Sequence, residues 1–270
     1  MRKIPQNVPY IGITDFTSPD QVHRVLRVPT DRVLDTKMDH ILGVGVMMSH
    51  KTLRGLPTKW AAAFPPKESV ADIFIDDWGV FNVLHYADYE DVTTPDDLRE
   101  VIALGGPNLD AIQLDMIWPR VDLIRAGFGS HNRPKIILQV GAKAMDAKDC
   151  DPGRIVQSLW EYHLANCLDY VLLDRSMGKG MGMNANLLLT LYRAIREVFS
   201  QKQLQVVVAG GLGPTTMSLL QPFREARVWD ISIDAQGKLR PSGNALDPVD
   251  WTMAEEYYAQ ACGFFGLDIY

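Results

Sequence analysis

Three carboxylates close apolar runs of this chain: Asp115 ends "DAIQLD", Asp174 ends "DYVLLD" and Asp234 ends "DISID". Carboxyls held close together raise one another's proton affinity, so one can stay protonated near neutral pH and act as an acid beside a base. The same oxygens could hold a divalent cation. No local cluster of Asp, Glu and His has ligand spacing, so no metal or cofactor is called for. Gln113 stands two residues before Asp115, Gln139 lies in "KIILQVG", and Asp230, Ser232 and Asp234 follow one another at intervals of two. Side chains two apart on a strand share a face. Aimed at an apolar helix layer they would be costly unless hydrogen-bonded, so they are expected to point inward and upward, toward a cavity. Thr14 and Asp15, Ser49 and His50, and His85 and Tyr86 stand at the ends of earlier runs. His50, flanked by Ser49 and Lys51, is the better histidine candidate; a lone histidine such as His85 reads as a satisfied core or rim residue. No Gly-x-Ser-x-Gly elbow or placed Cys/His pair argues for acyl transfer.

Eight apolar runs must position these groups: residues 8–14, 40–48, 81–87, 109–115, 135–141, 169–174, 205–211 and 229–234. Each is followed by a turn and a helical pattern, as parallel strands buried on both faces require. Ser18 before Pro19 and Thr94 before Pro95 mark helix starts, and Gly105 marks a helix end. Right-handed crossovers of eight such units close into a single (β/α)8 TIM barrel spanning residues 1–270. The rival, an open doubly wound sheet, would show a Gly-x-Gly-x-x-Gly turn after its first strand, which "GITDFTSPD" lacks. In a barrel of this kind the loops after the strands build the active site. Residues 49–80 are about twice what a loop and helix need, and read as a lid over the mouth or as a contact between copies of the chain.

The chain of 270 residues has a formal charge of −6, with its 27 Lys and Arg scattered, which leaves a nucleic-acid backbone little to hold. Cys150, Cys167 and Cys262 show neither CxxC nor Cys/His ligand spacing, as expected of free thiols in a reducing compartment. No apolar run approaches the ~20 residues of a membrane span. A cytoplasmic protein with a small-molecule substrate is the expectation.

Five short motifs resemble those of phosphoribosylanthranilate isomerase, a (β/α)8 enzyme of tryptophan biosynthesis: "YIGITDFTSPDQV", "DAIQLD", "VLLDRSMGKGMGMNANLL", "VVVAGGLGPTTM" and "WDISIDAQG", in that order. The resemblance implies acid–base isomerisation of a small, phosphorylated sugar derivative. Asp174 would be the acid, and phosphate would be gripped at Gly210 and Gly211 and by the segment holding Ser232 and Asp234. Ile11 stands where the family has its catalytic cysteine, which predicts weak or no authentic isomerase activity and leaves Asp15, His50 or Asp115 as the base. Gly178, Lys179 and Gly180 would form a mouth loop whose backbone approaches the ligand, with Lys179 adding a charge. Two alternatives stand beside this reading. One is a non-catalytic ligand-binding or scaffold protein; the other is a metal-dependent aldolase or hydrolase with two or three of Asp115, Asp174 and Asp234 on the metal.

Overall fold

Val, Ile and Leu dominate the strand runs, and their branched side chains suit a pleated surface buried on both faces. In the computed structural model, which describes residues 7–28, 40–129, 133–175 and 182–266, the runs become β1 (Tyr10–Thr14), β2 (Ile41–Ser49), β3 (Val80–Asp88), β4 (Ala111–Met116), β5 (Lys135–Gly141), β6 (Tyr170–Asp174), β7 (Gln205–Ala209) and β8 (Ser232–Ala235). Each pairs in parallel with the next, and β8 closes on β1 through Ile11, Gly12 and Ile13. The expected (β/α)8 TIM barrel is the fold found.

Helices alternate with the strands: α1 (Pro19–Leu26), α2 (His50–Leu53), α3 (Val70–Ile73), α4 (Pro95–Gly105), α5 (Val121–Phe128), α6 (Ala142–Asp146), α7 (Pro152–Leu164), α8 (Ala185–Val198), α9 (Gln221–Glu225) and α10 (Trp251–Gly266). The start of α4 follows the sequence signal: Thr94 Oγ1 accepts from the Asp97 N–H at 3.2 Å and Asp97 returns the bond to the Thr94 N–H at 2.6 Å. Its end falls one residue later than expected, because Gly106, at φ +67°, makes the left-handed turn while Gly105 is still helical. Among the described residues no helix is long and apolar enough to cross a membrane.

Side chains alternate between two layers. One set, including Ile11, Ile13, Leu84 and Leu173, packs with the helices. The other set fills the barrel, where the rings of Tyr10, Phe81 and Tyr170 meet tilted by 34° to 48° with centroids 5.3 to 6.0 Å apart and plug its interior together with Val83, Ile137 and Val207. That apolar plug leaves the polar residues of the same inward face to form the floor of whatever opens at the strand ends. The insertion of residues 49–80 contributes α2 and α3, and carries Trp60 stacked on Phe64 at 5.5 Å.

Candidate active site

The strand ends and their loops enclose a cavity of 710 Å³. Its inward-facing polar strand residues are Thr14 (β1), Ser49 (β2), His85 (β3), Gln113 and Asp115 (β4), Gln139 (β5), Asp174 (β6) and Asp234 (β8), with Met47, Ala87, Leu172 and Ala209 between them. Asp115, Asp174 and Asp234 thus meet on one mouth, as do Gln113 and Gln139, whose amides join through a 2.8 Å bond from Gln113 Nε2 to Gln139 Oε1. Gly210 and Gly211 line the β7 side at φ +122° and +71°. His50 lines the wall at the start of α2, where Ser49 Oγ accepts from the Thr52 N–H at 3.2 Å and fixes the turn; its Nδ1 is 3.3 Å from the Tyr86 hydroxyl.

Three of the expected site residues lie elsewhere. Asp15 follows β1 at φ +86° and is buried against Arg240, whose Nη2 donates to Oδ2 at 2.5 Å, with Gln236 Nε2 at 3.2 Å from Oδ1. It is a strut between two loops and does not line the cavity. Asp230 precedes β8, which starts later than the sequence suggests, and receives bonds from the Tyr192 hydroxyl at 2.6 Å and Arg196 Nε at 3.1 Å. Ser232, at the far end of β8 from the mouth, accepts from the Tyr10 N–H at 3.0 Å and is fully buried. Gly178, Lys179 and Gly180 lie outside the described residues.

The carboxyls differ in state. Burial lifts the Asp234 carboxyl to about 7, with the Asp174 charge adding to the rise and the Thr14 hydroxyl, 3.2 Å from both oxygens, pulling the other way. Burial lifts Asp115 to about 6; the Tyr89 hydroxyl, which donates to its Oδ2, lowers it, and Asp174 again raises it. Both are therefore carboxyls able to hold a proton near neutrality, beside a third whose charge helps keep it there. Burial pushes His85 down to about 3, so its imidazole is neutral.

Sequence reasoning missed several cavity residues. Tyr89 stands one residue past β3 and carried no signal. Gln236 and Lys238 follow β8, while Lys59, Trp60 and Phe64 come from the insertion, which therefore forms part of the cavity wall. Lys51 is paired with Glu90 at 2.5 Å and Lys59 lies over the Trp60 ring at 5.1 Å. His85, read from the sequence as a core or rim histidine, lines the cavity.

No family model matches the chain, and no curated protein does. Solved structures do match. One, described as "QR15, an Aldolase", is 9% identical, with 87% of this chain and 91% of that one covered and a TM-score of 0.49. Another, described as "Crystal Structure of Phosphonopyruvate Hydrolase Complex with Oxalate and Mg++", is 12% identical, with 83% and 74% covered and a TM-score of 0.48. The resemblance to phosphoribosylanthranilate isomerase is accordingly corrected: no family model supports it. The structure agrees, since Ile11, at the place of that family's cysteine, packs with the helix layer.

Proposed function

We propose that the chain is an enzyme that enolises a small hydroxylated carbonyl compound by general acid–base catalysis, in the manner of an aldol-type lyase. One observation carries this reading: Asp115 and Asp234, both titrating near neutrality, share a cavity with Asp174 at the strand ends of one barrel. Cleaving a β-hydroxy carbonyl compound needs a base to take the hydroxyl proton and an acid to return one to the enolate as the carbon–carbon bond breaks. Asp174, the charge that raises its two neighbours, is assigned as base; Asp234 is assigned as the acid, because a proton donor works best with a pKa close to the working pH. Asp115, with Tyr89 on its Oδ2, would hold the carbonyl oxygen in its protonated form. Gly210 and Gly211, after β7, and Lys238, after β8, line the same cavity and would receive an anionic end of the substrate.

The aldolase or hydrolase alternative places a metal on two or three of Asp115, Asp174 and Asp234. Among the described residues no group of three or more His, Cys, Asp or Glu side chains is placed to hold one, and Asp115 and Asp234 each already accept from a hydroxyl. A carboxylate that accepts from a hydroxyl keeps lone pairs for a cation, so a site of two aspartates is compatible with the geometry; no step of the proposal is routed through one.

The test is proton exchange. Hydroxyacetone, dihydroxyacetone and pyruvate are incubated with the protein in D2O, and deuterium entering beside the carbonyl is followed by proton NMR. Wild-type protein is expected to exchange at least one of them, and Asp174→Asn to lose about 10²- to 10⁴-fold of that rate. Absence of exchange across the set, or exchange that survives Asp174→Asn, would sink the proposal and favour a non-catalytic binding protein.

A further inference from the structure

The cavity floor holds polar groups that the acid–base reading leaves unused. His85 is 5% exposed and Gln113 3% exposed, and they are register partners on β3 and β4. Gln113 spends its amide N–H on Gln139, while its Oε1 is buried without a partner. His85 lines the cavity beside it, its Nε2 over Gly45, and its ring is not among the buried atoms left without a partner: its nitrogens are open to whatever occupies the cavity. Buried donors and acceptors are nearly always paired, and leaving them unpaired costs stability.

Two glycines make this arrangement. A Cβ at Gly45 would stand 2.7 Å from Thr14 Oγ1 and 2.9 Å from His85 Nε2, so the bare backbone of β2 is what admits both groups over it. A Cβ at Gly12 would stand 2.5 Å from Asp234 Oδ1, so β1 makes room for Asp234 in the same way. Thr14 then bonds Asp234 at 3.2 Å. A polar arc results, running Asp234, Thr14, His85, Gln113 and Gln139 around the inner wall, with unmet capacity at His85 and Gln113.

We propose that Thr14, His85 and Gln113 form a recognition site for adjacent hydroxyl groups, the hydroxylated end of the substrate, with His85 in direct contact. The identification with substrate rests on the catalytic reading above; the site itself is argued from the unpaired groups. A neutral imidazole offers one donor and one acceptor and Gln113 Oε1 offers an acceptor, a set that hydroxyls, being both donors and acceptors, can meet. An anion is disfavoured because the arc contains no Lys or Arg, itself includes Asp234, and shares the cavity with Asp115 and Asp174. An ammonium ion has donors only and leaves the imidazole N–H unmet.

The experiment uses the full chain labelled with ¹³Cε1-histidine, its six histidines read by proton–carbon NMR, and three probes of four carbons: erythritol, succinate and 1,4-diaminobutane. The His85 signal is identified by its loss in His85→Phe. Erythritol is expected to shift that signal saturably with a Kd of about 1–10 mM, in keeping with so small a ligand. His85→Phe, followed by saturation-transfer NMR of the erythritol protons, should bind it at least tenfold more weakly with the fold intact. Gln113→Leu and Thr14→Val, read by the same His85 signal, serve if His85→Phe fails to fold. The proposal is overturned if erythritol does not bind, if it binds without moving His85, or if either charged probe binds more tightly. Deuterium exchange without erythritol binding would remove this site and leave the catalytic reading standing. Erythritol binding without exchange would do the reverse.

Discussion

Replacing Asp234 by asparagine should turn a pH-dependent stability into a nearly flat one. Asp234 is 9% exposed at the inner end of the cavity, and burial, followed by the charge of Asp174 and against the Thr14 bond, sets its carboxyl at about 7 instead of the ordinary 3.8. A carboxyl whose folded pKa is raised stabilises the fold fully below its unfolded pKa, and that contribution declines as pH climbs and is gone above the folded pKa. At about 1.36 kcal/mol per pH unit, a carboxyl at about 7 in place of 3.8 corresponds to roughly 4 kcal/mol over the whole range and about 2–3 kcal/mol between pH 5 and pH 8. Asparagine keeps the shape and still accepts from Thr14, but does not titrate. Urea unfolding of both proteins at pH 5, 6, 7 and 8 therefore should show the variant gaining about 2–3 kcal/mol relative to wild type across the series, with the steepest change between pH 5 and 7. Curves that stay parallel to within about 0.5 kcal/mol would refute both the raised pKa and the assignment of Asp234 as the acid.

Two further outcomes follow from the same wiring. Tyr89→Phe removes the hydroxyl that lowers the Asp115 carboxyl, so carboxyl carbon NMR should find Asp115 titrating above its wild-type value of about 6; an unchanged or lower midpoint would contradict the hydrogen bond. Arg240→Met strands the Asp15 carboxylate without its buried partner and should cost about 3–5 kcal/mol in urea unfolding, most of it recovered in the double variant with Asp15→Asn; a lone Arg240→Met loss under about 1 kcal/mol would remove the strut.

The isomerase motifs misled for a physical reason. An apolar parallel strand, a glycine turn and a capped helix are what any chain of this fold needs at each repeat, so similar strings arise wherever the fold does. "GIT" matched in letters, but the residue before it, Ile11, belongs to the helix-facing layer.

The sequence by itself determined the barrel and the meeting of Asp115, Asp174 and Asp234. Strand runs, caps and turns are local signals, and in a closed parallel sheet every strand presents the same end to one mouth, so strand-ending acids converge without further information. Tertiary structure alone decided the rest. Asp15 was turned away from the mouth by Arg240, 225 positions along the chain, and Asp230 and Ser232 by the residue at which β8 begins to pair with β7. His85 became a cavity group because a neighbouring strand carries glycine at position 45. The proton affinities of Asp115 and Asp234 come first from burial, which depends on every element packed around them and is written in no single stretch of residues.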